Sequence, residues 1–203
     1  MPQNALIIVD VQNDFCPGGA LAVREGDEVV PVLNRLINEF DRAGALVVAT
    51  RDWHPARTSH FNTGGGAWPP HCICGTTGAE FHPALILGPN TIVVSKGTEE
   101  NADSYSGFDG LDARGLRLAE VLGQRGVTRL VIGGLATDYC VKQTALDGLR
   151  LGFEVVVIED AVRGVDLRPG DAEQALEEMK QGGALVRNAN DWRESRQTMA
   201  EQR

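Results

Sequence analysis

Short runs of valine, isoleucine, leucine and alanine recur along the chain at Ala5–Val9, Ala45–Thr50, Thr91–Ser95, Arg129–Gly133, Glu154–Ile158 and, most weakly patterned, Ala184–Arg187. They are apolar almost without alternation, the pattern of strands buried on both faces rather than one. Amphipathic segments lie between them. Val29, Val32, Leu33, Leu36, Ile37 and Phe40 repeat at three- and four-residue spacing, which predicts a helix over 29–42 with Gly44 as its stop. Leu118, Val121 and Leu122 predict another over 115–125, closed by Gly126. A third is expected from Thr137 or Asp138 to about Leu151, closed by Gly152, and a last one over 171–181 behind Pro169. Strands alternating with helices imply right-handed crossovers and an α/β fold: a doubly wound, mainly parallel six-stranded sheet with helices on both faces.

The period fails between Trp53 and Pro89, where glycine, proline, histidine, cysteine and aromatic residues replace it. A connection of that length inside one domain is usually functional. The expectation is a single domain over 1–192 and a polar C-terminal tail over 193–203.

Composition narrows the field. Hydrophobic residues make up 42% before the 24 glycines are counted, which argues for a packed core rather than disorder. A net charge of −9 leaves no basic excess to neutralise phosphates, so neither nucleic acid nor a membrane is an expected partner. Homo-oligomerisation is left open. The four cysteines, Cys16, Cys72, Cys74 and Cys140, are too few and too scattered for a disulfide framework. The N-terminal residues do not read as a signal peptide, and no apolar run is long enough for a membrane span. A reducing, cytoplasmic setting is expected.

In open α/β sheets ligands bind at the carboxyl ends of the strands. The first predicted strand ends in Asp10, the second runs into Asp52 and His54, the third ends at Lys96, and the fourth leads into Ala136-Thr137-Asp138-Tyr139-Cys140. Each residue alone has an ordinary structural explanation: a turn carboxylate, a surface amine, a packed thiol. Their convergence on one rim does not. Cys140 is the candidate nucleophile, because the first turn of a helix favours a thiolate, with Asp10 and Lys96 as the base and cation that would activate it. All four histidines, His54, His60, His71 and His82, fall inside the long connection. With Asp52 they offer nitrogen and oxygen donors suited to zinc, iron or manganese, although histidines there could simply pack against Trp53, Trp68 and Phe81. Cys72 and Cys74 have one residue between them, not the spacing of a zinc knuckle. Dinucleotide, P-loop, serine-hydrolase elbow and H-E-x-x-H motifs are all missing.

Several longer motifs occur in order: Asp10-Val-Gln-Asn-Asp-Phe-Cys-Pro-Gly-Gly19, Arg51-Asp-Trp-His-Pro55, Trp68-Pro-Pro-His-Cys72, Lys96-Gly97, Asp103-Ser-Tyr-Ser-Gly-Phe108 and Gly134-Leu-Ala-Thr-Asp-Tyr-Cys-Val-Lys142. Together they resemble the nicotinamidase/pyrazinamidase branch of the isochorismatase-like cysteine hydrolases, from about Asn4 to Trp192. The resemblance implies the isochorismatase-like hydrolase fold and hydrolysis of nicotinamide, with pyrazinamide as a further substrate, in pyridine-nucleotide salvage. It implies Asp10, Lys96 and Cys140 as catalytic residues and backbone N–H groups of Ala136 and Cys140 as the oxyanion hole, the former aimed by a cis Leu135–Ala136 peptide. It implies Asp52, His54 and His71 as ligands of one divalent metal ion, zinc first and iron or manganese next. His60 stands where some members have a further ligand. Phe15, Trp68, Tyr105 and Tyr139 are the expected substrate-binding walls. Cys74 departs from the more usual polar residue. Two other readings stay open: a related cysteine hydrolase acting on another small amide or ureide, and a non-catalytic metal-binding module.

Overall fold

In the computed structural model, which describes residues 3–193, every residue of strand β1 (Asn4–Val9) beyond the first is fully buried. Its side chains alternate between two cores. Leu6 and Ile8 pack with Leu33, Leu36 and Phe40 of helix α1 (Val29–Arg42), while Ala5, Ile7 and Val9 pack with Leu118 and Leu122 of α2 (Leu118–Gln124) and Ala145 of α3 (Lys142–Arg150). Burying each large apolar side chain contributes about 1.5–3 kcal/mol before ordering costs are counted, so the two helical layers clamp β1 from both sides. Helix α4 (Asp171–Gln181) joins the second core through Met179.

The remaining strands are β2 (Leu46–Asp52), β3 (Ile92–Lys96), β4 (Leu111–Asp112), β5 (Arg129–Leu135), β6 (Glu154–Arg163) and β7 (Leu185–Arg187). Their order is β4-β3-β2-β1-β5-β6-β7, with every pairing parallel except β3 with β4. The direction of winding reverses between β1 and β5, which makes the crevice beyond their carboxyl ends the expected ligand site.

The sheet has seven strands rather than the six expected. The extra one, β4, is an antiparallel edge of only two residues, too short to leave a periodic signal. Helix α2 begins three residues later than the pattern suggests. Asp112 Oδ1 accepts the backbone N–H groups of Arg114 and Leu116 at 2.8 and 3.0 Å, holding that stretch as a side-chain-capped turn. The segment expected to open α3 is a π-helical turn, Thr137–Val141, before α-helical geometry starts at Lys142. Residues 194–203 of the expected tail lie outside the described residues. No helix among the described residues is long and apolar enough to cross a membrane.

Candidate active site

Asp10 follows the last residue of β1 and is fully buried, with a positive φ of 48° that a short polar side chain tolerates. Thr50 of β2 donates its hydroxyl to Asp10 Oδ1 at 2.6 Å. Lys96, the last residue of β3, reaches across the strand ends. Its Nζ lies 2.9 Å from Asp10 Oδ2, contacts Asp52 Oδ1, and stands 3.4 Å from both Cys140 Sγ and the Ser104 carbonyl. Cys140 sits in the π-helical turn that follows the cis Leu135–Ala136 peptide, where the Ala136 carbonyl accepts the N–H groups of Tyr139 and Val141 at 3.1 Å each. Asp10, Asp52 and Cys140 each bring one donor atom within 4.8 Å of the others. Through Lys96 the expected trio of Asp10, Lys96 and Cys140 is brought together beyond the carboxyl ends of the strands.

Burial and charge oppose one another here. Burial pulls the Lys96 ammonium down, but Asp10 and Asp52 outweigh it and hold the pKa well above its ordinary value. Burial also raises Asp52, yet Lys96 and His54 bring it below the usual carboxylate range. These two form a buried ion pair. Burial raises Asp10 against the pull of Lys96, and it raises Cys140 well above an ordinary thiol, with Asp10 and Asp52 adding repulsion. A third anion beside Asp10 and Asp52 is disfavoured, so the thiolate forms most easily when its proton passes to Asp10 and the total charge stays constant.

Gln12 ties this centre to the long connection. Its amide donates to the carbonyls of Asp52 and Ala79 at 2.8 and 2.9 Å and accepts the Asp52 N–H at 2.8 Å. From there the chain brings His54, His60 and His71 together, with donor atoms within 4.8 Å of each other. Each ring has its Nδ1 against an oxygen: the Gly97 carbonyl for His54 at 2.9 Å, Asp103 Oδ1 for His60 at 2.6 Å, the Pro69 carbonyl for His71 at 2.7 Å. An oxygen acceptor assigns the hydrogen to Nδ1 and leaves the Nε2 lone pair directed elsewhere. His54 Nε2 is buried without a hydrogen-bond partner, 3.7 Å from Asp52 Oδ2. Burial, against the Pro69 carbonyl, pulls His71 down to about 4, so that ring is neutral as a ligand must be. Three imidazoles and one carboxylate, with an orphaned buried nitrogen among them, fit a divalent metal ion. His82, the fourth histidine of the cluster, is outside this group; its Nδ1 accepts the Ala84 N–H at 3.3 Å.

A cavity opens between the two centres, and Asp52, His60, His71, Ala136 and Cys140 face it. All four ring residues expected as walls, Phe15, Trp68, Tyr105 and Tyr139, line it. Trp68 Nε1 donates to the Tyr105 hydroxyl at 3.0 Å, and the Trp68 and Tyr139 rings meet edge-on at 4.9 Å. Sequence reasoning missed Leu21 and Val165, which also line the cavity, because isolated aliphatic residues in loops carry no signature. It also missed Asp138, whose buried carboxylate accepts the Val165 and Asp166 N–H groups at 2.9 Å each. Lying two residues before Cys140, it could have been suspected as a buried loop anchor. The remaining thiols do not join the site: Cys16 is pushed up to about 11 by burial and Asp27, and Cys72 is raised by burial and nearby carboxylates.

The chain as a whole is similar to several known proteins. The nicotinamidase of Escherichia coli is 42% identical over 211 residues, covering 96% of this chain and 99% of the relative. The nicotinamidase/pyrazinamidase of Mycobacterium tuberculosis is 45% identical over 182 residues, covering 87% and 94%. The crystal structure of the pyrazinamidase of Pyrococcus horikoshii in complex with zinc superposes with a TM-score of 0.85 at 49% identity, covering 92% of this chain and 99% of that one. Residues 4–191 match the isochorismatase domain, and on that match the chain belongs to the isochorismatase family.

Proposed function

We propose that the protein is a metal-dependent amidohydrolase that converts nicotinamide to nicotinate and ammonia, and that pyrazinamide is a second substrate. The observation that carries this reading is the single cavity shared by Cys140 and the Asp52–histidine set, with Lys96 joining Asp52 to Asp10 and the thiol. A flat ring bearing a carboxamide can place its ring nitrogen toward the histidines and its carbonyl carbon toward the sulfur.

The steps follow from the proton inventory. Asp10 takes the Cys140 proton, and the thiolate attacks the carboxamide carbon. Backbone N–H groups of Ala136 and Cys140 hold the oxyanion. Asp10 then delivers the proton to the departing nitrogen, ammonia leaves, and the acyl group remains as a thioester on Cys140. Asp10 next removes a proton from water as its oxygen attacks the thioester; collapse releases the carboxylic acid, and that proton returns to sulfur. Lys96 keeps the net charge of the carboxylates and thiolate tolerable in a buried site throughout. Asp52, His54, His60 and His71 would hold the metal, zinc on the strength of three imidazoles and one carboxylate, with iron or manganese next. When bound it supplies a Lewis-acid anchor for the ring nitrogen, orienting the substrate. The walls Phe15, Trp68, Tyr105 and Tyr139 suit an aromatic ring better than a ureide. A cysteine nucleophile works only while reduced, which favours a reducing compartment such as the cytoplasm.

Ammonia release from nicotinamide by the purified protein tests the reading. Turnover is expected with nicotinamide and pyrazinamide and is expected to vanish in Cys140→Ala with the fold retained. Undiminished turnover in that variant would overturn the mechanism, and preference for a linear ureide would overturn the substrate.

A further inference from the structure

The three imidazoles of the histidine cluster are held in two different ways. His54 and His71 give their Nδ1 hydrogens to the carbonyls of Gly97 and Pro69, which belong to the backbone and are neutral. His60 gives its own to the carboxylate of Asp103 at 2.6 Å, across a side chain whose carboxylate is 61% exposed while the ring is 5% exposed. A carboxylate acceptor makes the opposite ring nitrogen more electron-rich than a carbonyl does and aligns the ring by a charge-assisted bond. Asp103 also belongs to a segment with two further contacts at the site. The next residue, Ser104, offers its carbonyl to Lys96 Nζ at 3.4 Å, and Tyr105 accepts the Trp68 indole hydrogen at 3.0 Å. The carboxylate therefore stands at the end of a strap already placed by the catalytic ammonium and the aromatic wall.

We propose that Asp103 is a positioning residue that makes His60 a metal ligand in this chain, and thereby decides whether the site binds its ion through three protein side chains or four. This rests on the metal reading given above. Without Asp103, His60 keeps only its stacking on His54 at 4.8 Å and its ring contacts with Phe61, His71 and Tyr105, none of which selects a tautomer.

The test is zinc affinity measured by chelator competition from the zinc-loaded protein at one pH, with the unfolding midpoint followed in parallel. Asp103→Ala is expected to weaken zinc binding about 10- to 100-fold. Asp103→Asn is expected to lose less, because its amide oxygen still accepts from Nδ1 but carries no charge, and it decides the matter should the alanine variant fold poorly. Glu99→Ala removes a neighbouring exposed carboxylate and is expected to leave the affinity unchanged. In a His60→Ala background, adding Asp103→Ala is expected to cost nothing further, since its partner is gone. Equal affinity in wild type, Asp103→Ala and Asp103→Asn would overturn the proposal. So would a loss in Glu99→Ala matching that of Asp103→Ala, or an undiminished effect of Asp103→Ala without His60. Failure of the wild-type protein to bind zinc, iron or manganese would instead overturn the metal reading itself.

Discussion

Gly97 offers a quantitative probe of how the histidine cluster is held. It follows Lys96 at the end of β3 with φ of +66°, and its carbonyl accepts the His54 Nδ1 hydrogen at 2.9 Å. A Cβ there would lie 2.5 Å from His54 Cε1 and 2.7 Å from Nδ1, whereas ordinary contact begins at 3.4 Å. In Gly97→Ala the ring must retreat by about 0.9 Å, several times the roughly 0.2 Å tolerance of a metal–nitrogen bond. It has little room, with His60 stacked at 4.8 Å, Phe61 edge-on at 5.3 Å and His71 at 5.1 Å. The left-handed backbone adds about 1–2 kcal/mol for any residue with a Cβ. The expected outcome is a folded protein, less stable by that amount, with metal affinity lowered at least about 100-fold through displacement of a ligand. Metal content after gel filtration, ammonia release and circular dichroism measure the three effects separately. A folded Gly97→Ala that keeps one metal ion per chain and wild-type turnover would refute the claim that Gly97 seats His54.

Asp10→Asn removes both the base and a negative charge that raises the Cys140 pKa, so its two effects have opposite sign. Turnover is expected to fall about 10²- to 10⁴-fold while the pH at which iodoacetamide alkylates Cys140 moves down; an upward move would contradict the electrostatic assignment. Lys96→Met leaves Asp10 and Asp52 facing each other without their cation, at a cost of about 3–5 kcal/mol in urea unfolding together with loss of turnover; wild-type stability would show that the pairs carry no weight. Asp138→Ala strips two backbone N–H groups of their acceptor, each worth about 1–3 kcal/mol, and frees the Val165 wall. Its KM for nicotinamide should rise more than its kcat falls, and the reverse split would place Asp138 in the chemistry rather than in the wall.

Much of this was legible because one face of each element dictates its neighbours. The limits of α1 and α4 agree with the apolar period because nothing competes with it at Val29–Arg42 or Asp171–Gln181. The strand ends exposed Asp10, Lys96 and Cys140 as a group because parallel strands deliver their carboxyl ends to one rim. What stayed hidden depends on contacts rather than spacing. The π-helical turn around Cys140 differs from an α-helix only in which carbonyl receives each N–H, and side-chain periodicity over five residues does not record that. The pairing of His60 with Asp103 spans 43 positions, and each residue alone reads as an ordinary loop residue. Leu21 and Val165 became part of a pocket only once their loops were placed.

The position of β1 between β2 and β5 also governs how the molecule is made. β1 precedes every other strand in the chain yet occupies the middle of the sheet, and its partner β5 begins at Arg129. During synthesis one side of β1 can pair with β2 early, while its other edge waits through more than half the chain, presenting unpaired backbone beside the apolar side chains of Ala5–Val9. A ribosome stalled or a chain truncated before β5 would leave a template for misassembly, the kind of surface that chaperones shield. Asp10 and Cys140 lie beyond those same two strands, so closing that edge also brings the proton acceptor to its thiol. Activity thus reports completion of the central sheet, and a nascent chain acquires its reactive pair only when its most aggregation-prone edge has been covered.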